Sequence, residues 1–261
     1  MTAVARVRTT PGVALSKEKL AGAAGMAATI IAWQAVAVSG IVGESIAPPT
    51  EVATVLLGSE EGPRIWTATT ETALASLAGF GWGVAVAAIV GVMAIAVPIL
   101  RRGIGSAATA QSAMPFVALG PILLAVFDRE TVPTAMSAAT CFFTLYMAIV
   151  SGLGAAPKGL DEVFVVFGAS RWQRLARVQL PASLPLVASG IKIALPLSVV
   201  GAVIGEWFGA SAGVGPILLS SLRDYEMHVM WSAATSTVIL ALCLFGIAAL
   251  FERAAQGRFG S

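Results

Sequence analysis

The chain has 261 residues, of which 57% are hydrophobic and 11% are charged, and its mean hydropathy is +0.87. A soluble domain of this length cannot bury so much apolar surface, so the composition excludes an ordinary globular protein and indicates one that is solvated by a lipid bilayer. The formal net charge of +2 is too small to indicate a nucleic-acid partner, and the basic residues are interleaved with apolar runs.

Apolar stretches long enough to cross a hydrocarbon core of about 30 Å recur between short charged clusters. They predict an all-α, polytopic membrane protein with six transmembrane helices and no attached soluble domain. The predicted spans are Ala21–Val42, Leu77–Leu100, Ile104–Phe127, Val132–Leu153, Leu184–Phe208 and Met230–Phe251.

The segments between and around these spans divide the chain further. Residues 1–20 are expected to form a tail, residues 21–251 the transmembrane domain, and residues 252–261 a second tail. The polar connection Gly43–Trp66 is interpreted as a loop, while the small residues 67–78 could lengthen the second helix beyond the membrane. The basic start of the chain could also be a signal peptide, but its apolar run is longer than usual and no cleavage site is convincing, which favours an uncleaved span.

Orientation follows from the lysines and arginines of the connections, because basic residues are retained on the cytoplasmic side. The side with both tails would hold twelve of them: Arg6, Arg8, Lys17, Lys19, Arg101, Arg102, Lys158, Arg171, Arg174, Arg177, Arg253 and Arg258. The opposite side would hold Arg64, Arg129 and Arg223. Both termini are therefore predicted to be cytoplasmic.

The connection between spans four and five, residues 157–180, has a helical pattern. A short amphiphilic helix is predicted over Leu160–Phe167. Gly168 follows it and can adopt the left-handed conformation that ends helices.

A second short helix is expected to begin at Ser170, because Ser170 and Gln173 have the spacing of a capping box. Pro181 is expected to block its simple continuation into the fifth span. On physical grounds alone, the helix could be interfacial, with Arg171 and Arg174 near lipid phosphates.

The sequence EVFVVFGASRWQRLARVQLP resembles the EAA signature of binding-protein-dependent permeases: Glu-Ala-Ala, three residues, Gly, nine residues, Ile-x-Leu-Pro. Glu162, Gly168, Val178 and the pair 180–181 occupy matching positions without a gap. Val163 and Phe164 stand where the family has two alanines, so the first helix is bulkier here.

Further stretches carry the same resemblance: PPTEVATVLL, MPFVALGPILLAVF, FFTLYMAIVSGL and GEWFGASAGVGPIL. They look like permeases of nitrate, sulfonate, taurine and pyrimidine-precursor importers, and they imply a type I ABC importer permease of the bacterial inner membrane. The implied partners are a second permease copy, two ATP-binding subunits that bind ATP and Mg, and an extracytoplasmic binding protein. This chain would hold no cofactor.

In that family the EAA segment forms coupling helices that rest on the ATP-binding subunit. The residues implied for this contact are Glu162, Gly168, Ala169, Ser170, Arg171, Arg174, Leu180 and Pro181. For Arg171 and Arg174, anchoring to lipid phosphate remains an alternative. For Gly168, a helix-ending role is the alternative.

Gln111, Tyr146 and Lys192, inside the predicted spans, are candidates for the translocation pathway. The resemblance adds that the fifth spans of two copies flank the pathway, which implies that Ser198, Val203 and Glu206 lie near it. The alternatives are helix packing for Gln111 and Tyr146, an exposed loop-end carboxylate for Glu206, and a structural or gating role for Lys192. Small residues repeat every four positions at Gly201, Gly205, Gly209 and Gly213, which predicts a stripe for close helix packing.

The chain lacks sequence motifs for nucleotide hydrolysis. GLGAAPKG lacks the Gly-Lys-Ser/Thr of a P-loop, so no ATPase site is predicted. His228 stands without the spacing of a metal site, and Cys141 and Cys243 lie in apolar runs. An ion-coupled transporter would be expected to show inverted repeats and intramembrane carboxylates, and a membrane-embedded enzyme would need catalytic residues that are not evident.

Overall fold

The computed structural model describes residues 11–41 and 43–259, and no strand occurs among them. The helices, numbered in chain order, are α1 (Pro11–Val38), α2 (Pro49–Gly58), α3 (Glu61–Ala96), α4 (Pro98–Ser112), α5 (Phe116–Val126), α6 (Val132–Gly154), α7 (Lys158–Val166), α8 (Arg171–Arg174), α9 (Leu180–Glu206), α10 (Val214–Arg223) and α11 (Met227–Phe259). A 3-10 turn at Gly43–Ser45 precedes α2, and a π-helical turn at Leu175–Gln179 joins α8 to α9.

Five helices of the described chain are long and apolar enough to cross a membrane, and α4 with α5 makes a sixth if the bent pair is one span. The five candidate spans are Leu20–Val38, Glu61–Ile95, Val132–Gly154, Arg171–Glu206 and Met227–Arg258. The prediction of an all-α, polytopic membrane protein is confirmed.

The third predicted span, Ile104–Phe127, is not one helix. The structure breaks it after Ser112, and α5 leaves α4 at an angle of 106°. Pro115 precedes α5 in an extended conformation, with φ −61° and ψ 118°. Proline has no backbone N–H, and an extended residue cannot continue a helix, so the chain turns there. The predicted span is therefore two helices with a sharp bend between them.

Other helix ends also differ from prediction. The segment Gly43–Trp66, predicted to be a loop, contains α2 and the start of α3. Helix α1 begins at Pro11, inside the expected tail, while residues 1–10 of that tail lie outside the described residues. The last helix runs to Phe259, past the predicted end at Phe251. The early start of the second helix is confirmed by α3.

Helices α6 and α9 form the centre of the molecule, and α3 and α11 pack around them. The core between them is built from small residues with a few larger ones. One cluster holds Ala87 of α3, Cys141 and Leu145 of α6, and Ala194 of α9. Small side chains allow helix backbones to approach closely, which is how membrane helices gain van der Waals contact.

A second core lies near the N-terminal ends of α3 and α11 and involves α2 and α10. It includes Val52, Ile65, Val214 and Val229, all buried. Trp231 in α11 donates from Nε1 to the Ser45 carbonyl oxygen at 3.0 Å, which attaches the turn before α2 to this core. The short helices therefore form a cap on one end of the bundle.

Candidate functional site

The turn after α7 is built as the sequence predicts. Gly168 has φ +73°, in the left-handed region. The Gly168 N–H donates to the Val165 carbonyl oxygen at 2.9 Å, and the Ala169 N–H donates to the Phe164 carbonyl oxygen at 2.9 Å. These two bonds form a Schellman motif, which satisfies carbonyls that the end of a helix leaves unpaired. The turn therefore fixes the direction in which the chain leaves α7.

The predicted capping box at α8 is also confirmed. The Ser170 hydroxyl accepts from the Gln173 N–H at 3.3 Å, and the Gln173 side-chain oxygen accepts from the Ser170 N–H at 2.8 Å. Both bonds satisfy donors that the first helical turn would otherwise leave open. Helix α8 thus has a defined start immediately after the Gly168 turn.

The helical run continues past Pro181, but through a π-helical turn and not as a regular α-helix. In the π-helical turn, the N–H of Leu180 bonds to the Leu175 carbonyl oxygen, five residues back. This wider turn moves the preceding carbonyls away from the proline ring, which would clash with them in a regular α-helix. As a result, Arg171–Glu206 is one continuous helical run.

The surface of α7 and the following turn is exposed and includes apolar side chains. Val166 and Phe167 are 83% and 85% exposed, and Trp172 is 66% exposed. Glu162, Ser170 and Arg171 are also exposed, whereas Ala169 and Arg174 are partly buried. Leu180 is exposed and Pro181 partly buried, so most residues implied for coupling lie at this surface.

Glu206, at the end of α9, is buried and only 2% exposed. Its Oε1 accepts from the Thr72 hydroxyl at 2.7 Å, and its Oε2 accepts from the Gly215 N–H at 2.7 Å. The Thr72 hydroxyl oxygen accepts from the Val214 N–H at 2.9 Å. The interpretation of Glu206 as an exposed loop-end carboxylate is therefore wrong. The side chain joins α3, α9 and the first turn of α10.

Two of the four glycines in the predicted stripe are not on the helix, because α9 ends at Glu206. Gly209 and Gly213 lie in the following loop with φ +100° and +101°, where only glycine is unstrained. Gly201 and Gly205 do face α6. A Cβ added to Gly205 would lie 2.6 Å from the Pro133 Cα.

Lys192 has a partner that the sequence prediction did not include. Its Nζ donates to Oε2 of Glu252 in α11, and Oε1 of the same carboxylate accepts from the Ser189 hydroxyl at 2.6 Å. Glu252 was expected in the tail after Phe251, but it is buried at 8% exposure. A lone charge in the membrane is costly, and the pair reduces that cost.

The remaining pathway candidates are buried or partly buried. Tyr146 is 3% exposed and stacks on Phe142 with ring centres 6.0 Å apart, so it belongs to the core. Ser198 is fully buried and donates to the Leu195 carbonyl oxygen at 2.6 Å. In this conformation neither lines an open surface. Gln111 and Val203 are partly buried.

A bundle of apolar spanning helices around a close-packed centre, with an exposed helical segment at one end, is the architecture of a multi-span membrane protein. The family whose model matches residues 79–257 is described as binding-protein-dependent transport system inner membrane component. The chain belongs to this family.

Relatives agree with this assignment over most of the chain. A probable ABC transporter permease protein of Haemophilus influenzae is 30% identical over 226 residues, 83% of this chain and 88% of the relative. The riboflavin transport system permease protein RibX of Chloroflexus aurantiacus is 27% identical over 226 residues, 86% of this chain and 84% of the relative.

Solved structures show the same fold. A chain of the MetNI methionine ABC transporter, in an inward-facing conformation, matches with a TM-score of 0.65 and 23% identity. The match covers 76% of this chain and 99% of that one. The type I importer fold is thus confirmed. The protein is a transmembrane permease subunit of an ATP-binding-cassette importer and forms the translocation pathway.

Proposed function

We propose that the chain works with a second, identical permease subunit, two ATP-binding subunits and an extracytoplasmic binding protein. ATP and Mg are bound by the ATP-binding subunits, and this chain has no ATPase site of its own. Both termini lie in the cytoplasm. Residues 157–180 rest on an ATP-binding subunit and transmit its movement to the spanning helices.

The observation that carries this proposal is the construction of the coupling segment. The Schellman turn at Gly168 and the capping box at Ser170 fix the angle between α7 and α8. Helix α8 then continues into the spanning helix α9 without a loop. A displacement of α7 is therefore passed to α9 through hydrogen-bonded backbone.

The exposed surface of the segment supports a protein partner. Val166 and Phe167 are more than four-fifths exposed at the end of α7. Such side chains are stabilised when a partner covers them. Exposed Arg171, close by in sequence, can make charge-assisted hydrogen bonds to carboxylates of that partner.

The solute is proposed to be small and polar or anionic, and selected mainly by the binding protein. Relatives of this chain are named for riboflavin, formylaminopyrimidine and aliphatic sulfonates. Because these related permeases are named for different solutes, the shared architecture supports selection by the binding protein.

The proposal is tested at Gly168 in liposomes that contain the chain, its ATP-binding subunits and its binding protein. A Cβ at this position meets open space, so a substitution acts through the positive φ and not through a clash. We expect Gly168→Val to reduce binding-protein-stimulated ATPase activity and uptake about fivefold or more, since left-handed backbone strains a β-branched residue by ~1 kcal/mol or more.

Gly168→Asn is the matched control, because asparagine tolerates the left-handed conformation. It should assemble and couple nearly as the wild type does. Wild-type coupling in the Gly168→Val transporter would show that the angle between α7 and α8 does not matter for transmission.

A further inference from the structure

Helix α4 has an exposed face that differs from those of the neighbouring spanning helices. Helix α3 exposes bulky apolar side chains such as Trp82 and Ile89, which suit contact with lipid. The open cavity of about 980 Å³ beside α4 is lined instead by small, hydroxyl-bearing or cationic residues, including Arg101, Arg102, Ser106, Thr109 and Ala113. Such a surface is poorly suited to lipid tails.

The break between α4 and α5 lies within the depth of the bundle. Gln111, just before the break, donates from Nε2 to the Ala139 carbonyl oxygen in α6 at 3.0 Å. Ala139 lies about 10 Å from the Val132 end of a helix that is roughly 34 Å long. The break is therefore at membrane depth, although residues 113–115 are exposed in the single chain.

Non-helical backbone at membrane depth is stable only inside protein or beside water, because lipid cannot satisfy its polar groups. Because α5 leaves α4 at 106°, α5 does not extend the exposed face of α4 beyond Ala113. Two guanidinium groups at the other end of the cavity also favour water over a dry contact. Backbone geometry and side-chain chemistry thus point to the same environment.

We propose that this face of α4 and the break at residues 113–115 form a water-exposed wall of the translocation pathway, and that the wall favours anionic solutes. The inference rests on the proposed function, because a second permease subunit closes the pathway opposite this wall. The wall offers two guanidinium groups and the hydroxyl groups of Ser106 and Thr109. Cationic walls concentrate anions and admit them in preference to cations.

The test is thiol labelling with membrane-impermeant methanethiosulfonates in vesicles that carry the full transporter. Thr109→Cys, and separately Ser106→Cys, is made in a Cys243→Ala chain. Cysteine is close in size to serine and threonine, and both positions are exposed, so both variants should fold. We expect both new thiols to react at least about tenfold faster than native Cys243 does in the unaltered chain.

Cys243 is a control at matched depth. It is exposed on α11 between bulky apolar side chains, and its neighbour Leu244 packs in one cluster with Val199 of α9. Val199 is two residues before Gly201, which packs against Thr140 of α6. The carbonyl oxygen of the adjacent Ala139 accepts from Gln111, so Cys243 lies at about the depth of Gln111. If Thr109→Cys and Ser106→Cys react as slowly as Cys243, this face is dry and the proposal is overturned.

The charge preference is measured with two reagents, one carrying a sulfonate and one a trimethylammonium group, each normalised to its rate with a free thiol. At Thr109→Cys the anionic reagent should be favoured about tenfold. Adding Arg101→Gln and Arg102→Gln should abolish the preference, whereas the two lysine substitutions should keep it. A cationic preference, or one unaffected by the glutamine substitutions, overturns the assignment to anionic solutes.

These measurements need neither ATP hydrolysis nor a known solute. The labelling result is therefore independent of the coupling result. The new thiols can react as expected even if Gly168→Val couples normally, and they can fail to react even if Gly168→Val loses coupling. A failure of the pathway wall is thus distinguishable from a failure of the coupling proposal.

Discussion

Single residues of this chain act through partners that are distant in sequence. The carboxylate of Glu206 holds the hydroxyl of Thr72, which lies in α3, and the N–H of Gly215 at the start of α10. A carboxylate near the N-terminal end of a helix also interacts favourably with the helix dipole. Glu206 therefore fixes α10 to the end of the bundle.

Replacement of this carboxylate gives a prediction at the residue scale. Glu206→Gln has a single oxygen, so one of the two donors, at Thr72 or Gly215, must face an amide NH₂ group. An unsatisfied buried donor costs about 1–3 kcal/mol. We expect a lower melting temperature for the purified transporter, measured by tryptophan fluorescence in detergent.

The matched control is Glu130→Gln. Glu130, in the loop between α5 and α6, is exposed, and its carboxylate accepts a longer bond of 3.3 Å from the Ser211 N–H in the loop after α9. This substitution should leave the melting temperature almost unchanged. Equal effects at the two positions would contradict the structural role of Glu206.

The residue scale also shows what the sequence could and could not predict. Gly168 and the Ser170–Gln173 box were predicted because their bonds connect residues at most five positions apart. The partner of Lys192 is 60 positions away, and that of Glu206 is 134 positions away. Periodicity gives no information about contacts of that separation, so both side chains were interpreted without their partners.

At the scale of helices, the contact between α6 and α9 depends on two glycines of α9, Gly201 and Gly205, which have no side chain. A Cβ at Gly205 would lie 2.6 Å from the Pro133 Cα, and one at Gly201 would lie 2.7 Å from the Ser137 Cα. Backbone atoms cannot rotate away as a flexible side chain can. The two helices therefore approach this closely only because both positions are glycine.

We predict that Gly205→Val destabilises the transporter, because the helices must separate and lose contacts along both faces. Overpacking of this kind costs about 1–3 kcal/mol or more. The measurement is the melting temperature together with the yield of assembled complex. Gly246→Val is the control, since Gly246 is also in a spanning helix but an added Cβ meets nothing within 4 Å. Similar losses for both variants would argue against close packing at Gly205.

Spanning helices were predicted where apolar runs are long, whereas the short helices α2 and α10 were missed. The ends of α6 agree with the predicted fourth span to within one residue. Helices α2 and α10, of ten residues each, lack the length that marks a span. Ile104–Phe127 was predicted as one span, because a proline in the sequence does not distinguish a kinked helix from a chain that turns by 106° at Pro115.

At the scale of the whole molecule, basic residues are divided twelve to three between the predicted sides. This division supports cytoplasmic termini, because retained positive loops set topology. The turn at 224–226, between α10 and α11, would then face outward together with the cap that contains α2 and α10. The orientation stays a prediction, which rests on charge and not on side-chain contacts.

The corresponding prediction uses a reporter phosphatase that is active only outside the cytoplasm. Fusion after Phe259 should give an inactive reporter, and insertion at Tyr225, which is 84% exposed, should give an active one. Activity is measured in intact cells and normalised to the amount of each fusion protein in the membrane. The reverse pattern would invert the topology and place residues 157–180 away from any ATP-binding subunit.

The unbroken run Arg171–Glu206 has 36 residues and is therefore about 54 Å long, more than the thickness of the hydrocarbon core. In the proposed coupling, a movement of this helical run at its Arg171 end would also move its Glu206 end, because no loop interrupts the run. Glu206 carries Thr72 and the start of α10 with it. The same proposal links the opening of one mouth of the importer to the closing of the other through a single chain.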